Sequence, residues 1–420
     1  MAHRDSIAEV SALTAALVEE HRAEEARYAS ILEGQPVASR KAEGLTWAPV
    51  RVNRTSFTLG GRPTLELTGE SGAPGAFRSG SAVQLTSDDG KGETASYRGI
   101  VRSARGMDAE VVLDGEEIPD QATHRAWVMD ARFDERSFKE MARALSDVLN
   151  AGRDGKPSRL AALREVLLGY AQPEPSTPEP FVHPNLNPSQ CAAVAFALTA
   201  REVTTVHGPP GTGTPTTLVQ LGKSLVRRGE KVLCSAPSNA AVDLMVERLS
   251  AVGIKVTRIG HPMRIDPAVV DRSLDRLVEA DPDHKQVKLY RRQAEEAARE
   301  AEKQFRSFGA DQRAARREAY AEARALRKEA NHLEAFLAER AVDAAEVVCC
   351  TLVGAADRHL SGRKFGTLVL DEAGQALEPA AVPGRWLLTS VLSPLPLPPA
   401  FLSVFSKNFG FSPPSCGTES

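Results

Sequence analysis

The sequence contains few aromatic residues, little net charge and few cysteines, and each shortage limits what the protein can be. Phenylalanine, tryptophan and tyrosine make up 5% of the 420 residues, so alanine, valine and leucine must fill most of the core. The 52 lysines and arginines are offset by 55 acidic residues, and the net charge of −3 gives no global sign of a nucleic-acid partner. Binding to a nucleic-acid strand needs only a local basic track, so the total charge does not exclude it.

Cysteine spacing and apolar runs bear on the compartment. No C-x-x-C pair or zinc-type spacing occurs among the five cysteines, which are Cys191, Cys234, Cys349, Cys350 and Cys416. We therefore expect buried, reduced thiols, as in cytosolic proteins. No run approaches the roughly 18 apolar residues that a membrane-spanning helix requires, and the charged N-terminus does not resemble a signal peptide. The sequence predicts a soluble cytoplasmic protein with no membrane partner, or a nuclear one in a eukaryote.

The first 171 residues are predicted to form a barrel on a helical stalk. Apolar residues at helical spacing predict a helix over 5–34, ending at Gly34, within a stalk segment of residues 1–46. Helical spacing returns over 131–171 and predicts two more stalk helices. Between them, residues 47–130 contain short β-prone runs separated by Gly, Asp and Ser, which predict a small antiparallel barrel. Those runs are Ser56–Leu59, Thr64–Thr68, Ala82–Thr86, Tyr97–Val101 and Glu110–Leu113.

The remainder divides into a linker, an α/β lobe and a tail. Residues 172–183 contain the stiff run QPEPSTPEP and mark a domain boundary. Over 184–383, helices alternate with short apolar segments, which predicts an α/β lobe around buried parallel strands. Those strands are Val203–His207, Lys231–Ser235, Val256–Ile259, Val347–Thr351 and Thr367–Leu370.

Two segments stand apart from this lobe. Residues 285–340 are highly charged and carry alanine at the apolar positions, which predicts an inserted helical hairpin with its turn at Ser307–Asp311. Its charges are interpreted as a solvated face, with contact to nucleic acid as the alternative. Residues 384–420 lack periodicity and are rich in Pro, Ser, Leu and Phe. We interpret them as an aberrant, disordered tail, from an out-of-frame or alternatively spliced end.

A strand, a glycine-rich turn and a helix follow one another around residue 208. Gly208 and Gly213 have the spacing of the glycines in the phosphate-binding pattern G-x-x-x-x-G-K-[ST]. Backbone N–H groups of such a loop point at phosphate oxygens, and the helix N-terminus adds a favourable partial charge. We expect a nucleotide to contact Gly208, Pro209, Pro210, Gly211, Thr212, Gly213, Thr214, Pro215 and Thr216. A plain turn between strand and helix is the alternative.

Two positions of this loop depart from the pattern. Thr214 stands where the lysine belongs, and Pro215 stands where the Ser or Thr belongs. The lysine normally supplies a charge to the β- and γ-phosphates, and the hydroxyl holds Mg²⁺. Pro215 is acceptable in a first helical turn, and Thr216 offers a hydroxyl one position late, as a weak Mg²⁺ ligand. Losing one transition-state donor costs roughly 10²–10³ in rate, so we expect hydrolysis to be lost or much reduced.

An acidic pair follows the predicted strand Thr367–Leu370. The carboxyl ends of parallel strands are where α/β sheets bind ligands. Asp371 is therefore the expected Mg²⁺ partner, Glu372 the expected base that orients water, and Gln375 the expected γ-phosphate sensor. Such a pair is common by chance, but its order after the glycine-rich loop favours a shared nucleotide site.

Five segments resemble the motifs of superfamily 1B helicases, in particular the group of the immunoglobulin mu-binding and nonsense-mediated-decay helicases. Leu186–Gln190 resembles the Q motif, in which Gln190 would read the adenine. GPPGTG and DEAGQALEPA are similar to motifs I and II. The segment SAPSNAAVD resembles motif Ia, which would grip the nucleic-acid backbone through Pro237, Ser238 and Asn239. VVCCTLVG resembles the next strand-contacting segment, with Thr351 as its phosphate contact.

The resemblance extends to about Pro379 and implies both a fold and an activity. It implies a RecA-like P-loop lobe preceded by the barrel and stalk, ATP and Mg²⁺ as cofactors, and single-stranded DNA or RNA as partner. Family members couple ATP hydrolysis to 5′-to-3′ movement. They continue into a Gly-Asp-x-x-Gln segment and a second RecA-like lobe, neither of which follows here.

We therefore expect an inactive N-terminal part of such a helicase, with no partner at all if a truncated product has no function. One alternative is a non-catalytic module that binds single-stranded nucleic acid. Another is an unrelated P-loop ATPase acting on protein partners, against which Gln190 and Pro237–Asn239 argue.

Overall fold

The computed structural model describes most of the chain. The described residues are 2–57, 62–73, 77, 80–88, 94–114, 122–133, 135–208, 211–260, 264–303, 310–381 and 401–405. Contacts divide the chain into two compact units. The first consists of Met1–Leu13, Glu140–Arg258 and Ala345–Ser420, and the second of Thr14–Lys139 and Ile259–Ala344.

The helices follow the predicted order. Before the lobe lie α1 (Ala2–Gly34), α2 (Val37–Ala42), α3 (Glu135–Asn150) and α4 (Arg159–Leu167). The helices of the lobe are α5 (Pro188–Ala197), α6 (Thr214–Arg227) and α7 (Asn239–Ala251). The inserted region contains α8 (Leu274–Ala280), α9 (His284–Lys303) and α10 (Ala310–Ala344). None of the helices among the residues described above is both long and apolar enough to cross a membrane.

The second unit contains a closed antiparallel barrel, which confirms the predicted fold of this region. Its strands are β1 (Thr46–Phe57), β2 (Pro63–Gly69), β3 (Ala82–Asp88), β4 (Thr94–Arg105), β5 (Asp108–Leu113) and β6 (Ala126–Ala131), joined in the order β1-β2-β5-β4-β3-β6. Alternate residues point inward, and Trp47, Leu65, Leu85 and Trp127 are fully buried. The sequence did not predict β6, and it predicted only the end of β1, Ser56 and Phe57. Pro49 and Arg51 interrupt the apolar pattern of β1, and only barrel closure pairs these segments.

The predicted helical hairpin is also present in the second unit. Helices α9 and α10 pack against each other, with Ala294, Ala323 and Ala330 buried. Small side chains let the two backbones approach closely, which explains the alanine stripe. The predicted turn at Ser307–Asp311 is wrong at its end, because α10 already includes Ala310 and Asp311. Residues 304–309 lie outside the described residues.

The first unit contains a six-stranded parallel sheet. Its strands are β7 (Val203–His207), β8 (Val232–Ala236), β9 (Val256–Arg258), β10 (Val347–Thr351), β11 (Thr367–Leu370) and β12 (Phe401–Phe405), in the order β7-β12-β11-β8-β10-β9. Every pairing in this sheet is parallel. Strands β7, β10 and β11 have the predicted bounds, while β8 is shifted by one residue and β9 is one residue shorter.

Strand β12 corrects the expectation that residues 384–420 form a tail without regular structure. Phe401–Phe405 pairs with β7 on one side and with β11 on the other. The run FLSVF is short, uncharged and β-prone, which suits a buried parallel strand. Prediction from the sequence failed here because a run of five residues is too short to show a periodicity. Residues 382–400 and 406–420 lie outside the described residues.

Candidate functional site

All strands of the sheet are parallel, so their carboxyl ends meet at one edge. His207 ends β7 and leads into the glycine-rich loop, while Asp371 directly follows β11. Strand β12 links the two, because Thr205 pairs with Ser403 and Ser403 pairs with Leu370. The predicted phosphate loop and the predicted acidic pair therefore lie at the same edge of one sheet.

Two glycines of the loop have left-handed backbone conformations. Gly211 and Gly213 have φ angles of 87° and 81°, a region that favours glycine. Gly213 is the N-cap of α6, and Pro215 lies in its first turn, as predicted. Helix α6 thus presents its positive end at the sheet edge. Pro209 and Pro210 lie outside the described residues.

The hydroxyl groups of Thr212 and Thr214 lie close to Gly208. A Cβ atom at Gly208 would overlap the Thr214 Oγ1 and would lie 2.8 Å from the Thr212 Oγ1. Thr214 therefore folds back onto the loop, whereas a lysine at this position would extend from it. Thr216 is exposed, and the Oγ1 of the next residue, Thr217, donates to the carbonyl oxygen of Gly213 at 3.3 Å.

Gln190 connects helix α5 to the loop. Its Oε1 accepts from the Asn187 N–H at 2.9 Å, and the Asn187 Oδ1 accepts from the Gln190 N–H at 2.9 Å, which completes a capping box. The Nε2 of Gln190 donates to the carbonyl oxygen of Thr212 at 2.8 Å. The side chain therefore holds the loop in place, and its predicted contact with adenine stays a prediction.

Asp371 is buried at the end of β11. It is 8% exposed, and its N–H donates to the carbonyl oxygen of Ser235 at 2.9 Å. Burial raises the pKa of the Asp371 carboxyl, and the Glu372 carboxylate raises it further. The Glu372 N–H, which donates to the Asp371 Oδ1 at 3.0 Å, and the Arg248 guanidinium both oppose that rise in pKa.

Glu372 has a left-handed backbone, with φ 53° and ψ 34°. Residues other than glycine rarely adopt this conformation, which costs roughly 1–2 kcal/mol, and such strain clusters at functional sites. The Nε2 of Gln375 donates to the Glu372 Oε2 at 2.7 Å. Two of the three predicted catalytic side chains, Glu372 and Gln375, are therefore in contact, and the roles of all three stay predictions.

One pocket lies between α6, α7 and the sheet. Pro215, in the first turn of α6, and Asp371 both line it. Apart from Asp371 and Arg248, its lining is mainly apolar: Pro215, Leu218, Val219, Cys234, Leu244, Met245, Leu249 and Val369. Pro215 lines this pocket together with Asp371, and Thr216 does not. The N-terminus of α6 suits a phosphate group, but apart from Asp371 these lining side chains do not offer the oxygen ligands that Mg²⁺ prefers.

The segment predicted to bind nucleic acid follows β8 at the same edge. Pro237 is half-buried, and Ser238 is exposed and forms the N-cap of α7, its Oγ accepting from the Ala241 N–H at 3.2 Å. Asn239 begins α7, and its Oδ1 accepts from the Arg258 Nη2 at 2.8 Å.

The neighbouring strand β10 ends level with this segment. Thr351 pairs with Ala236, so Thr351 lies next to Pro237–Asn239 at the sheet edge. The Oγ1 of Thr351 accepts from the Gly354 N–H at 3.2 Å. The structure thus brings together the four residues that were predicted to contact a strand.

Arg258 is a site residue that the sequence analysis missed. Its side chain is fully buried, and its Nε donates to the Asp243 Oδ1 at 2.8 Å. The sequence feature that could have identified Arg258 is its position inside VTRIG, a segment that contains a strand predicted to be buried.

The cysteines line the interior of this sheet. Cys234, Cys349 and Cys350 are buried and form no disulfide, and Cys191 is half-buried and also free. Burial raises the pKa of the Cys350 thiol to about 12, despite a hydrogen bond with Ser235. The Cys350 thiol therefore stays protonated and unreactive in the folded protein, whereas Cys416 lies outside the described residues.

Comparison with known proteins gives one matching family and several relatives. Residues 185–384 match the family described as AAA domain. The chain is 29% identical over 365 residues to the DNA polymerase alpha-associated DNA helicase A of Schizosaccharomyces pombe, covering 82% of this chain and 54% of that protein.

Two further relatives match shorter segments. The chain is 37% identical over 229 residues to DNA-binding protein SMUBP-2 of Rattus norvegicus, covering 52% of this chain and 22% of that protein. It is 30% identical over 303 residues to ATP-dependent helicase upf1 of Schizosaccharomyces pombe, covering 67% of this chain and 29% of that protein. The chain spans about half the length of the first relative and less of the other two.

Proposed function

This chain belongs to the superfamily 1 helicases, and from that premise we propose that its lobe binds ATP and a single nucleic-acid strand but hydrolyses ATP poorly or not at all. One observation carries the proposal. Pro215, in the first turn of α6 after the glycine-rich loop, lines the same pocket as Asp371, while Thr214 and Pro215 replace the side chains that hydrolysis requires.

Nucleotide binding would rest on the backbone of the loop. Gly211 and Gly213 support the turn, and the N-terminus of α6 offers N–H groups and a favourable partial charge to phosphate oxygens. Gln190 would hold the loop through its bond to Thr212. None of these contributions depends on the side chain of residue 214 or 215.

Hydrolysis would be impaired because charge and metal ligands are missing. A threonine at position 214 provides no positive charge for the developing negative charge on the phosphates. Pro215 places a ring, without hydroxyl or N–H, beside the Asp371 carboxyl. Asp371, Glu372 and Gln375 remain in the family's positions, but we infer no step that depends on Mg²⁺ at this site.

Strand binding would take place where β8 and β10 end. Ser238, Asn239 and Thr351 are polar, and each lies at the sheet edge within the first unit. Hydroxyl, amide and backbone N–H groups commonly position a phosphate backbone. DNA and RNA share that backbone, so the proposal covers single strands of either.

The barrel is the second candidate for strand binding. Two of its arginines are paired across strands, since Arg102 pairs with Glu110 at 3.0 Å and Arg51 pairs with Glu70. The proposal places strand binding on the lobe because the segment Pro237–Asn239 and Thr351 lie together at the edge of its sheet.

The experiment restores the missing side chains. The double variant Thr214→Lys/Pro215→Thr should bind ATP roughly 10- to 100-fold more tightly than the parent chain, because a hydrogen bond to a charged group contributes about 1.5–3 kcal/mol. The gain should require Mg²⁺, because the restored hydroxyl can hold the metal. Fluorescent-nucleotide titration with and without Mg²⁺ measures both effects.

A charge-matched control separates this effect from general attraction. Thr212→Lys adds the same charge to the same loop at a position where the family's pattern has no lysine, so it should produce a smaller gain without Mg²⁺ dependence. Robust strand-stimulated ATP turnover by the parent chain would overturn the proposal. So would a double variant that binds ATP no more tightly than the parent chain.

A further inference from the structure

Arg258 forms a buried network behind the strand-binding segment. It ends β9, and its side chain is 0% exposed. Its Nε donates to the Asp243 Oδ1 and its Nη2 donates to the Asn239 Oδ1, each at 2.8 Å. Asn239 and Asp243 lie four residues apart, on one face of α7.

Stability alone is a poor explanation for this network. Removing an arginine and a carboxylate from water is costly, and apolar residues of similar volume often stabilise a core equally well. Buried ion pairs of this kind are better explained where they fix a particular geometry. What this network fixes is the start of α7, immediately after the exposed Ser238.

The chemistry of the guanidinium determines how Asn239 is oriented. Arginine has only donors, so the oxygen of the Asn239 amide must face Arg258. The NH₂ group of Asn239 is then turned away from Arg258. An NH₂ donor at the carboxyl edge of the sheet, near Ser238 and Thr351, is suited to a phosphate oxygen of a nucleic-acid strand.

We infer that Arg258 is a positioning residue, which holds Asn239 so that its amide donates to the backbone of a bound strand. The inference rests on the proposed strand binding at this edge. Asp243 accepts a hydrogen bond from the Nε of the same guanidinium. Arg258 itself touches no strand, because it is fully buried.

The main test is Arg258→Lys in the full chain, with a fluorescein-labelled oligothymidylate as probe. Lysine keeps a positive charge beside Asp243 but lacks the planar fork that reaches two partners. Affinity should fall about tenfold, as expected for the loss of one well-placed hydrogen bond. The slope of log K against log salt should match that of the parent chain, because no charged phosphate contact is removed.

A double-mutant cycle shows whether Arg258 acts through Asn239. In an Asn239→Ala background, Arg258→Lys should cause no further loss of affinity, because the residue being positioned is already gone. A second variant tests whether a loss of affinity could come from misfolding. Arg258→Met/Asp243→Leu removes both charges, so it should fold and unfold cooperatively like the parent chain while losing affinity about as much as Arg258→Lys.

The control is a second buried arginine, Arg164 of α4, whose guanidinium contacts Glu165 and the carbonyl oxygen of Val148. Arg164→Lys should leave strand affinity unchanged. If the parent chain binds no oligonucleotide even at low salt, both the proposed function and this inference fail. If the parent chain binds and Arg258→Lys binds equally well, or loses as much affinity in the Asn239→Ala background, only the inference is overturned.

Discussion

The left-handed conformation of Glu372 should be measurable as a change in stability. We expect Glu372→Gly to be more stable than Glu372→Ala. Both variants lose the bond from Gln375 and the charge next to Asp371, so they differ only in backbone preference. At φ 53° and ψ 34°, alanine retains the strain of a side chain in this region, and glycine does not.

The magnitude follows from two opposing contributions. The left-handed region costs an L-residue roughly 1–2 kcal/mol. Glycine lowers the stability by about 0.4–1 kcal/mol relative to alanine, because the unfolded chain has more conformational entropy with glycine. The glycine variant should therefore exceed the alanine variant by about 1 kcal/mol in the free energy of unfolding.

Urea unfolding of both variants under identical conditions measures the difference. The matched control is Glu247, an exposed position within α7. There the order should reverse, with Glu247→Gly less stable than Glu247→Ala by about 1 kcal/mol. If Glu372→Gly is no more stable than Glu372→Ala, residue 372 is not held in the left-handed region and the argument for strain at this site is wrong.

Two further predictions concern the groups around Glu372 and the loop. Burial raises the pKa of Asp371, so its ionised form opposes folding at neutral pH. Asp371→Asn should therefore be more stable than the parent chain at neutral pH. The difference in stability should shrink as the pH falls through the raised pKa of Asp371. Thermal unfolding at several pH values measures this difference. Gln190→Ala removes a capping box and the bond to Thr212, and should cost about 1 kcal/mol. Gln190→Glu keeps the oxygen that accepts from Asn187 but removes the NH₂ group that donates to Thr212. If Gln190→Glu lowers the stability as much as Gln190→Ala does, the whole loss comes from the contact with the loop.

The local elements of the site could be predicted from sequence because each has a local physical cause. Gly208 and Gly213 mark the loop, since only glycine freely adopts the φ of 81° found at residue 213. Asn187, Pro188 and Gln190 specify a helix N-terminus by themselves. Strands β10 and β11 have the predicted bounds, because burial on both faces requires continuous apolar runs. Strand β7 also has the predicted bounds, although Thr205 and His207 are exposed.

Other features depended on contacts between residues that are far apart in the chain. Arg258 looks like a charge misplaced in an apolar strand until α7 brings Asp243 and Asn239 beside it. Strand β12 has no helical neighbours in the described sequence, and only its pairing with β7 and β11 identifies it. The raised pKa of Asp371 comes from burial at the sheet edge, and the sequence does not encode burial locally.

The sequence by itself determined which short segments can form a loop, a strand or a capped helix, because those choices depend on φ angles, side-chain periodicity and hydrogen bonds within a few residues. Tertiary structure alone decided that Pro215 and Asp371 would line one pocket. It also decided that a buried guanidinium would orient Asn239. Both arrangements depend on which strands and helices become neighbours, and that is fixed only when the sheet and its covering helices exclude water together.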